Sequence, residues 1–259
     1  MKKYILDLEV TENIRLHANY VLLKLTHPDT LPDMLPGQFA ELRVDDSPST
    51  FLRRPISINF VDKDKNEVWL LIQTIGEGTR HLAKVKKGDI INTVIPLGKS
   101  FTIPTDTHVS PLLVGGGVGT APMLFLGEQL KLHHITPTFL LGARSGKDLL
   151  ELEEFAKYGQ VYTTTEDGSH GEKGYVTQHS ILNKEHFDMI YTCGPRPMMI
   201  AVAKYANAHQ SACEVSLENL MACGVGACLC CVENLKEHGN TCVCKEGPVF
   251  NINQLLWQI

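Results

Sequence analysis

In the stretch Leu112-Leu113-Val114-Gly115-Gly116-Gly117-Val118-Gly119-Thr120-Ala121-Pro122, a glycine cluster lies between an apolar run and a segment with helical periodicity. A glycine turn between a strand and a helix allows the pyrophosphate of a dinucleotide to bind the free N–H groups of the helix. The spacing G-x-G-x-x-G is not met, because Thr120 occupies the position of the third glycine. The stretch therefore predicts either a dinucleotide site or a strand–helix turn that uses glycine for its geometry alone.

The segments on either side of this stretch differ in periodicity. Before it, short apolar segments separated by turn signals predict strands at 4–10, 19–27, 38–44, 54–62, 67–75 and 89–97, with a short helix near 79–85. Six strands of this size suit a small antiparallel β-barrel. From about 108 to 210, predicted strands at 112–114, 137–142, 160–165 and 187–192 alternate with helices at 120–133, 147–158 and 196–209, which indicates a parallel sheet.

The sequence thus predicts a mixed β and α/β protein in three parts. These are a six-stranded antiparallel barrel at 1–103, a parallel α/β nucleotide-binding domain at 104–210, and a small cysteine-rich subdomain at 211–259.

Composition excludes several classes of function. The 259 residues are 43% apolar and carry a net charge of −5 without a basic block, so neither nucleic acid nor an anionic membrane surface is an expected partner. The N-terminal residues contain acids within an apolar stretch and predict a strand, not a signal peptide. No apolar run approaches the length of a membrane span. A reducing cytoplasm is the expected compartment.

Four of the eight cysteines follow the spacing C-x4-C-x2-C-x12-C. They are Cys223, Cys228, Cys231 and Cys244. The first three match the plant-type ferredoxin spacing, in which four thiolates hold a [2Fe–2S] cluster. Gly224 and Gly226 between the first two allow the chain to wrap closely around a compact cluster. Zinc sites usually use two separate C-x2-C pairs, and disulfide frameworks suit small secreted domains, so the spacing favours iron–sulfur.

The remaining cysteines have less defined roles. Cys230 and Cys242 flank ligand positions, and either can in principle replace a neighbour. Cys193, in the loop Cys193-Gly194-Pro195 after predicted strand 187–192, is expected at the mouth of a crevice or as a half-buried structural residue. This loop and the glycine cluster both follow strands, and ligands of open α/β sheets bind at the carboxyl ends of strands.

Consecutive arginines, Arg53 and Arg54, begin an otherwise apolar strand. Because side chains alternate faces along a strand, one arginine can meet water while the other needs an anion, and phosphate suits a guanidinium group. Alternatively, both arginines solvate the end of the strand. The stretch 76–80 then ends one strand and opens a helix, which is another anion-compatible terminus.

Together these motifs resemble the ferredoxin–NADP reductase superfamily, and within it the electron-transfer subunits of class 1B dihydroorotate dehydrogenase. The resemblance runs through the whole chain, in the stretches 36–39, 54–57, 76–79, 115–122, 193–195, 218–228 and 247–250. The last two stretches are the most specific, and the first four are shared by the wider superfamily.

The resemblance implies FAD in the barrel and NAD(H) at the glycine cluster. It assigns to FAD the residues Arg54, Pro55, Ile56, Ser57, Leu71, Ile72, Gln73, Gly78 and Thr79. Arg54 contacts the pyrophosphate and Ser57 lies beside the isoalloxazine, while Ile56 stands where the superfamily often has a tyrosine. It assigns the NADH pyrophosphate to Gly115, Gly117, Gly119 and Thr120, and it places Cys193 and Gly194 near the nicotinamide.

The implied function is electron transfer. NADH gives up two electrons together and a cluster accepts one, so a flavin that does both stands between them. No general acid or base is required, and none of the 11 histidines is assigned a catalytic role. The resemblance supplies the dihydroorotate site in a separate FMN-containing TIM-barrel subunit, in a heterotetramer of two catalytic and two electron-transfer subunits. The pathway implied is pyrimidine biosynthesis.

Two alternatives remain open at the level of sequence. One is an NAD(P)H–ferredoxin oxidoreductase or hydrogenase-type diaphorase subunit of the same superfamily. The other is a non-catalytic interaction protein whose fold is stabilised by a zinc ion. NADH is preferred over NADPH from the resemblance alone. Arg144 suits a 2′-phosphate or simple solvation, and Glu166 and Asp167 are in a position to serve the ribose of NADH.

Overall fold

The computed structural model describes residues 2–259. Its N-terminal half is a closed antiparallel barrel with the strand order β1-β2-β5-β4-β3-β6. The strands are β1 (Tyr4–His17), β2 (Tyr20–Thr26), β3 (Phe39–Leu42), β4 (Arg54–Asp62), β5 (Glu67–Gln73) and β6 (Ile90–Leu97). The six-stranded barrel predicted from the sequence is confirmed.

Two details of the barrel differ from the predicted elements. β1 continues to His17, because its first half pairs with β6 and its second half pairs with β2. The short helix α1 (Glu77–Leu82) follows β5 after the link 74–76 and begins earlier than the predicted helix at 79–85.

The second half of the chain is built on a seven-stranded sheet with the order β10-β9-β8-β7-β11-β12-β15. Its parallel strands are β7 (Pro111–Gly116), β8 (Thr138–Ala143), β9 (Gln160–Thr165), β10 (Glu172–Lys173), β11 (Met189–Cys193) and β12 (Ala212–Ser216). The helices are α2 (Ala121–Leu132), α3 (Leu152–Ala156) and α4 (Arg196–Ala208). α3 is shorter than predicted, because Glu151 adopts a left-handed conformation with φ of 56° that a helix does not continue through.

The cysteine-rich segment lies between two neighbouring strands of this sheet. It follows β12 and ends at β15 (Val249–Asn251), which pairs antiparallel with β12. The sequence did not predict β12. Between them are the hairpin β13 (Val232–Leu235) and β14 (Gly239–Cys242) and the short helix α5 (Val243–Glu246). The C-terminal part therefore shares β12 and β15 with the nucleotide-binding sheet.

Three apolar clusters hold these parts together. One fills the barrel, and it includes Phe125 from α2. A second joins the outer face of the barrel, including Tyr20 and Leu71, to α2 and the sheet. The third packs Cys231 and Cys244 with α4, with β12 and with Phe39 of the barrel. Among residues 2–259, no helix is long and apolar enough to cross a membrane.

Candidate functional site

The two glycine loops meet at the carboxyl edge of the sheet. Cys193 at the end of β11 lies in register with Gly115 on β7, so the loops that follow are neighbours. A Cβ atom on Gly119 would lie 2.5 Å from the carbonyl oxygen of Cys193, and one on Gly194 would lie 3.0 Å from that of Gly116. Only glycine permits this approach of backbone to backbone. The structure therefore brings both predicted loops together.

Thr120, which replaces the third glycine of the dinucleotide pattern, stabilises the turn from within. Its hydroxyl donates a hydrogen bond to the carbonyl oxygen of Gly117 at 3.0 Å, and its backbone fills the space beside Gly115. Gly117 itself has φ of 57°, in the left-handed region. Because α2 begins at Ala121, its N-terminus lies at the same edge of the sheet.

Cys193 lies deeper than the sequence analysis expected. Its side chain is 0% exposed, and its thiol donates to Oε1 of Glu218 at 3.9 Å. Burial raises the pKa of the Cys193 thiol well above its ordinary value, and the nearby Glu218 raises it further. Cys193 is therefore a protonated thiol at neutral pH.

The adjacent arginines of β4 have different partners. Arg53 donates to the carbonyl oxygens of Asn92 at 2.7 Å and Glu41 at 3.3 Å, so its guanidinium group joins neighbouring strands of the barrel. Arg54 donates only to nearby loop carbonyls, and its side chain packs against Gly78 in α1, where an added Cβ would lie 3.0 Å from Arg54 Cδ. The structure thus brings together Arg54 and Gly78, which the resemblance assigned to one site.

The other residues assigned to FAD divide between the two faces of their strands. Ile72 belongs to the barrel core and Ile56 packs against that core, so their side chains face away from the interface with the sheet. Leu71 belongs to the cluster at that interface. Gln73 donates its side-chain N–H to the hydroxyl of Tyr20 at 3.0 Å.

Tyr20 is a site residue that sequence reasoning missed. It pairs with Gln73 across β2 and β5, and its hydroxyl lies 3.9 Å from where a Cβ atom on Gly117 would be. Tyr20 therefore connects the strand assigned to FAD with the loop assigned to NADH. The available signal was an aromatic residue at the start of a barrel strand. Periodicity alone does not distinguish such a residue from one that only packs in the core.

The loop that carries the first three predicted ligands, residues 223–231 (the cysteine loop), directs backbone N–H groups at sulfur. The Cys223 sulfur accepts from the N–H groups of Ala227 at 3.3 Å and Cys228 at 3.4 Å, and the Cys231 sulfur accepts from that of Cys244 at 3.3 Å. Gly224 and Gly226 have φ of 62° and 84°, which folds the loop back on itself. N–H groups that donate to thiolate sulfur are typical of iron–sulfur sites, so the loop fits such a cluster.

The ligand set itself stays a prediction. Within residues 2–259, no three His, Cys, Asp or Glu side chains form a ready-made metal-binding group.

Burial raises the pKa of the Cys223 thiol, but the N–H groups of Val225, Cys228 and Ala227 lower it more, to about 6. The thiolate form that a metal requires is thus already favoured at Cys223.

Glu41 is the second residue that the sequence analysis missed. It lies on β3, is 1% exposed, and has an Oε1 atom without a hydrogen-bond partner. Burial, and to a smaller extent the neighbouring Cys223, raise the pKa of Glu41 to about 7, although Arg53 and Arg54 oppose the shift. The available signal was a charged residue inside a short apolar strand.

Comparison with known proteins gives two matching family models. Residues 218–256 match the iron-sulfur cluster binding domain of dihydroorotate dehydrogenase B. Residues 113–204 match the oxidoreductase NAD-binding domain. The first range includes the four cysteines, and the second includes the glycine cluster and the Cys193 loop.

Curated relatives cover almost the whole chain. The electron transfer subunit of dihydroorotate dehydrogenase B (NAD(+)) from Fusobacterium nucleatum is 38% identical over 250 residues, which is 94% of this chain and 95% of that protein. The subunit of the same name from Bacillus mycoides is 38% identical over 226 residues, covering 85% of this chain and 86% of that protein. Their shared name implies a catalytic partner subunit.

Solved structures show the same fold. An NADH-dependent reduced ferredoxin-NADP oxidoreductase superposes with a TM-score of 0.85 and 27% identity, covering 96% of this chain and 90% of that one. The flavohem-like FAD/NAD binding domain of nitric oxide dioxygenase from Vibrio cholerae superposes with a TM-score of 0.69 and 23% identity, covering 81% and 97%.

These matches confirm the predicted fold class, the oxidoreductase class and the cofactor set of iron–sulfur cluster, FAD and NAD(H). The resemblance found in the sequence is also confirmed, because identity of 38% extends over nearly the full length of both chains. The chain therefore belongs to the family of electron transfer subunits of dihydroorotate dehydrogenase B (NAD(+)).

Proposed function

We propose that this chain carries electrons between NAD(H) and a separate catalytic subunit that oxidises dihydroorotate, as part of pyrimidine biosynthesis. The observation that carries the proposal is the packing of the cysteine loop on the barrel. Gly224, next to Cys223, lies against Glu41 of β3, and β3 pairs with β4, which bears Arg54. The residues assigned to the cluster and to FAD are thus on touching elements.

In the proposed flavin site, the residues of β4 and α1 bind the pyrophosphate. The Arg54 guanidinium group supplies a charged fork for phosphate, and Gly78 and Thr79 supply backbone N–H groups beside it. Pro55 and Ser57 are on the opposite face of β4 from Arg54 and Ile56. Ile56 and Ile72, whose side chains face the barrel core, contribute backbone groups.

In the proposed nucleotide site, the glycine cluster and the Cys193 loop form one surface. Gly115, Gly117 and Gly119 leave the backbone accessible to a pyrophosphate, and Thr120 holds the turn. The pair of Tyr20 and Gln73 connects this surface with the flavin strand. FAD held by β4, β5 and α1 would supply the chemistry that takes two electrons from NADH and passes them on one at a time.

The proposed cluster ligands are Cys223, Cys228, Cys231 and Cys244. Cys242 also lies at this loop, because its thiol donates to the carbonyl oxygen of Gly226 at 3.7 Å, so the choice of Cys244 over Cys242 rests on the resemblance. None of the eight cysteines forms a disulfide, which suits a reducing compartment, and we propose that the protein is cytoplasmic.

The proposed partner is an FMN-containing TIM-barrel subunit, in an assembly of two catalytic and two electron-transfer subunits. Support comes from three apolar side chains next to cluster ligands in the sequence. Leu220 is 85% exposed, Leu229 is 65% exposed and Val225 is also exposed. Exposed apolar side chains that cluster on a surface mark protein–protein contacts, and we propose that these three form such a cluster.

The test is to reconstitute the route with and without the cluster. The chain is purified without oxygen, its iron, sulfide and flavin are measured, and it is titrated with NADH across the visible range. The variant Cys223→Ser is then combined with the catalytic subunit. We expect this variant to lose the cluster and the dihydroorotate-dependent reduction of NAD+, and to keep NADH-dependent reduction of a soluble dye. Unchanged NAD+ reduction after proven cluster loss would show that the route is wrong.

A second candidate function is supported by the structural match to the ferredoxin-NADP oxidoreductase at 27% identity. A subunit of that kind would deliver electrons to a ferredoxin-linked flavoprotein. The protein that co-purifies with the chain distinguishes the two, since a TIM-barrel FMN subunit and a large iron–sulfur flavoprotein differ in size and spectrum.

A further inference from the structure

We propose that Glu41 is a positioning residue for the iron–sulfur cluster, because its buried carboxyl group supports the loop between Cys223 and Cys228 from the barrel side. The inference rests on the proposed function, in which these cysteines hold the cluster. It adds a residue from the barrel, more than 180 positions earlier in the chain, to the surroundings of the cluster.

The contact between Glu41 and the loop is direct. A Cβ atom on Gly224 would lie 2.7 Å from Glu41 Cδ and 2.9 Å from each carboxyl oxygen. The Gly224 backbone therefore rests on the carboxyl group, one residue after Cys223. With φ of 62°, Gly224 sits at the point where the loop reverses direction.

The burial of Glu41 is unusual for a carboxyl group. Charged residues are almost never fully buried without a partner, and an unpaired buried polar atom destabilises the fold. Here Oε1 has no hydrogen-bond partner, and Arg53 bonds the backbone carbonyl of Glu41, not its carboxyl group. A buried group that lacks a partner and abuts a candidate cofactor loop points to a role at that loop.

The position of Glu41 on β3 explains how it reaches the loop. Ala40 and Leu42 belong to the core of the barrel, so Phe39 and Glu41 share the outer face of the strand. Phe39 packs in the same apolar cluster as Cys231 and Cys244. The outer face of β3 is therefore the surface on which the cysteine segment rests, and Glu41 is its polar member.

The same strand pair also carries the proposed flavin contact. Glu41 pairs with Pro55, and Leu42 pairs with Arg54. The carboxyl group under the cluster loop and the guanidinium group at the flavin site are thus held by adjacent hydrogen-bonded strands. Groups on regular elements are held more accurately than groups on loops, so Glu41 fixes the loop relative to the flavin site.

The experiment measures how firmly the holo-chain retains its cluster. Glu41→Ala and Glu41→Gln are compared with wild type, and iron loss to a chelator is followed in the visible spectrum. We expect Glu41→Ala to lose iron about tenfold faster, since it removes the buried support, and Glu41→Gln to remain within about twofold of wild type. The electron paramagnetic resonance spectrum of the reduced cluster should shift in Glu41→Ala while flavin content stays unchanged.

The matched control is Glu67→Gln with Glu67→Ala. Glu67 is also a buried carboxyl group of the barrel, but it accepts hydrogen bonds from Thr11 at 2.8 Å and Trp69 at 3.3 Å, and neither is in the cysteine segment. Its variants test whether any loss of a buried barrel carboxyl group releases iron. Iron loss from Glu67→Ala as fast as from Glu41→Ala would overturn the proposal.

A double-mutant cycle tests the contact itself and remains informative if single variants are unstable. Gly224→Ala places a methyl group against Glu41, whereas Gly226→Ala places one against the flexible Lys245 side chain. Combined with Glu41→Ala, the Gly224 variant should lose iron about tenfold more slowly than the product of the single effects predicts. The Gly226 combination should follow that product.

Two further results would overturn the proposal. If both double variants lost iron at the rate given by the product of the single effects, Glu41 and Gly224 would not be coupled, although the cluster assignment would stand. If wild type prepared without oxygen contained neither iron nor sulfide, the proposed function would fail together with this inference. The two failures are therefore distinguishable.

Discussion

Two arginines that are adjacent in sequence differ in role because alternate side chains of a strand face opposite ways. The strand pattern allowed one of Arg53 and Arg54 to need an anion without indicating which one, and only the resemblance assigned Arg54. In the structure Arg53 is bonded to barrel carbonyls and Arg54 packs beside Gly78, which favours Arg54 as the proposed phosphate contact. Such partners come from strands distant in sequence, so local pattern does not reveal them.

At this scale we expect Arg54→Ala to weaken FAD binding about ten- to a hundredfold with little change in thermal stability, because a charged hydrogen-bond donor to phosphate is removed. Flavin fluorescence during titration with FAD measures the affinity. Arg53→Ala is the control, and it should lower the free energy of unfolding by about 1 to 3 kcal/mol, because buried carbonyls lose their donor. A variant of Arg54 that retains FAD normally would contradict the assignment.

At the scale of elements, tertiary contacts outweigh local propensity. The sequence predicted one helix at 147–158, but Glu151 leaves the helical conformation and its Oε1 accepts a hydrogen bond from Asn59 of β4 at 3.0 Å. This contact joins the α/β half to the barrel. Asn59 is fully buried, and Oε2 of Glu151 has no partner.

The contact of Glu151 predicts a dependence of stability on pH. Burial raises the pKa of Glu151 from its ordinary value of 4.5 to about 7, and the Asn59 hydrogen bond only partly opposes this. The folded state therefore binds the proton more tightly than the unfolded state, so stability present at low pH is lost as pH rises towards 7. We expect Glu151→Gln to exceed wild type in free energy of unfolding by on the order of 2 kcal/mol at about pH 8.5.

Thermal unfolding at several pH values measures this difference. It should shrink as the pH falls through about 4.5 and be smallest about one pH unit lower, where the wild-type carboxyl group is protonated in both states. A constant difference across this range would contradict the assignment of the effect to Glu151.

Elements with a strong local signal could be predicted, and elements made only by pairing could not. The barrel strands alternate over several residues, and the glycine cluster marks its own turn. β15 has three residues and exists because Val249, Phe250 and Asn251 pair with β12. Likewise, Tyr20 and Glu41 have no motif, and their importance follows from the loops that fold against them.

At the scale of the whole molecule, the proposed contact with a partner predicts an effect of surface charge. Leu220→Glu should weaken binding of the catalytic subunit about tenfold, because a charge would enter the core of the interface. Calorimetric titration of the subunits measures the affinity. Leu132→Glu is the matched control, since Leu132 is 63% exposed at the end of α2, and it should bind normally. Equal weakening by both variants would argue against this docking surface.

The antiparallel pairing of β12 with β15 has an architectural consequence. Ser216 at the end of β12 pairs with Val249 at the start of β15, so the cysteine-rich segment begins and ends at two paired residues. The entropy of closing such a segment depends only weakly on its length. Another insert that covers the same apolar surface is therefore expected to fit between these two residues. A reductase of this design can exchange the segment that carries its cluster without changing the pairing of the strands that bind the nucleotide.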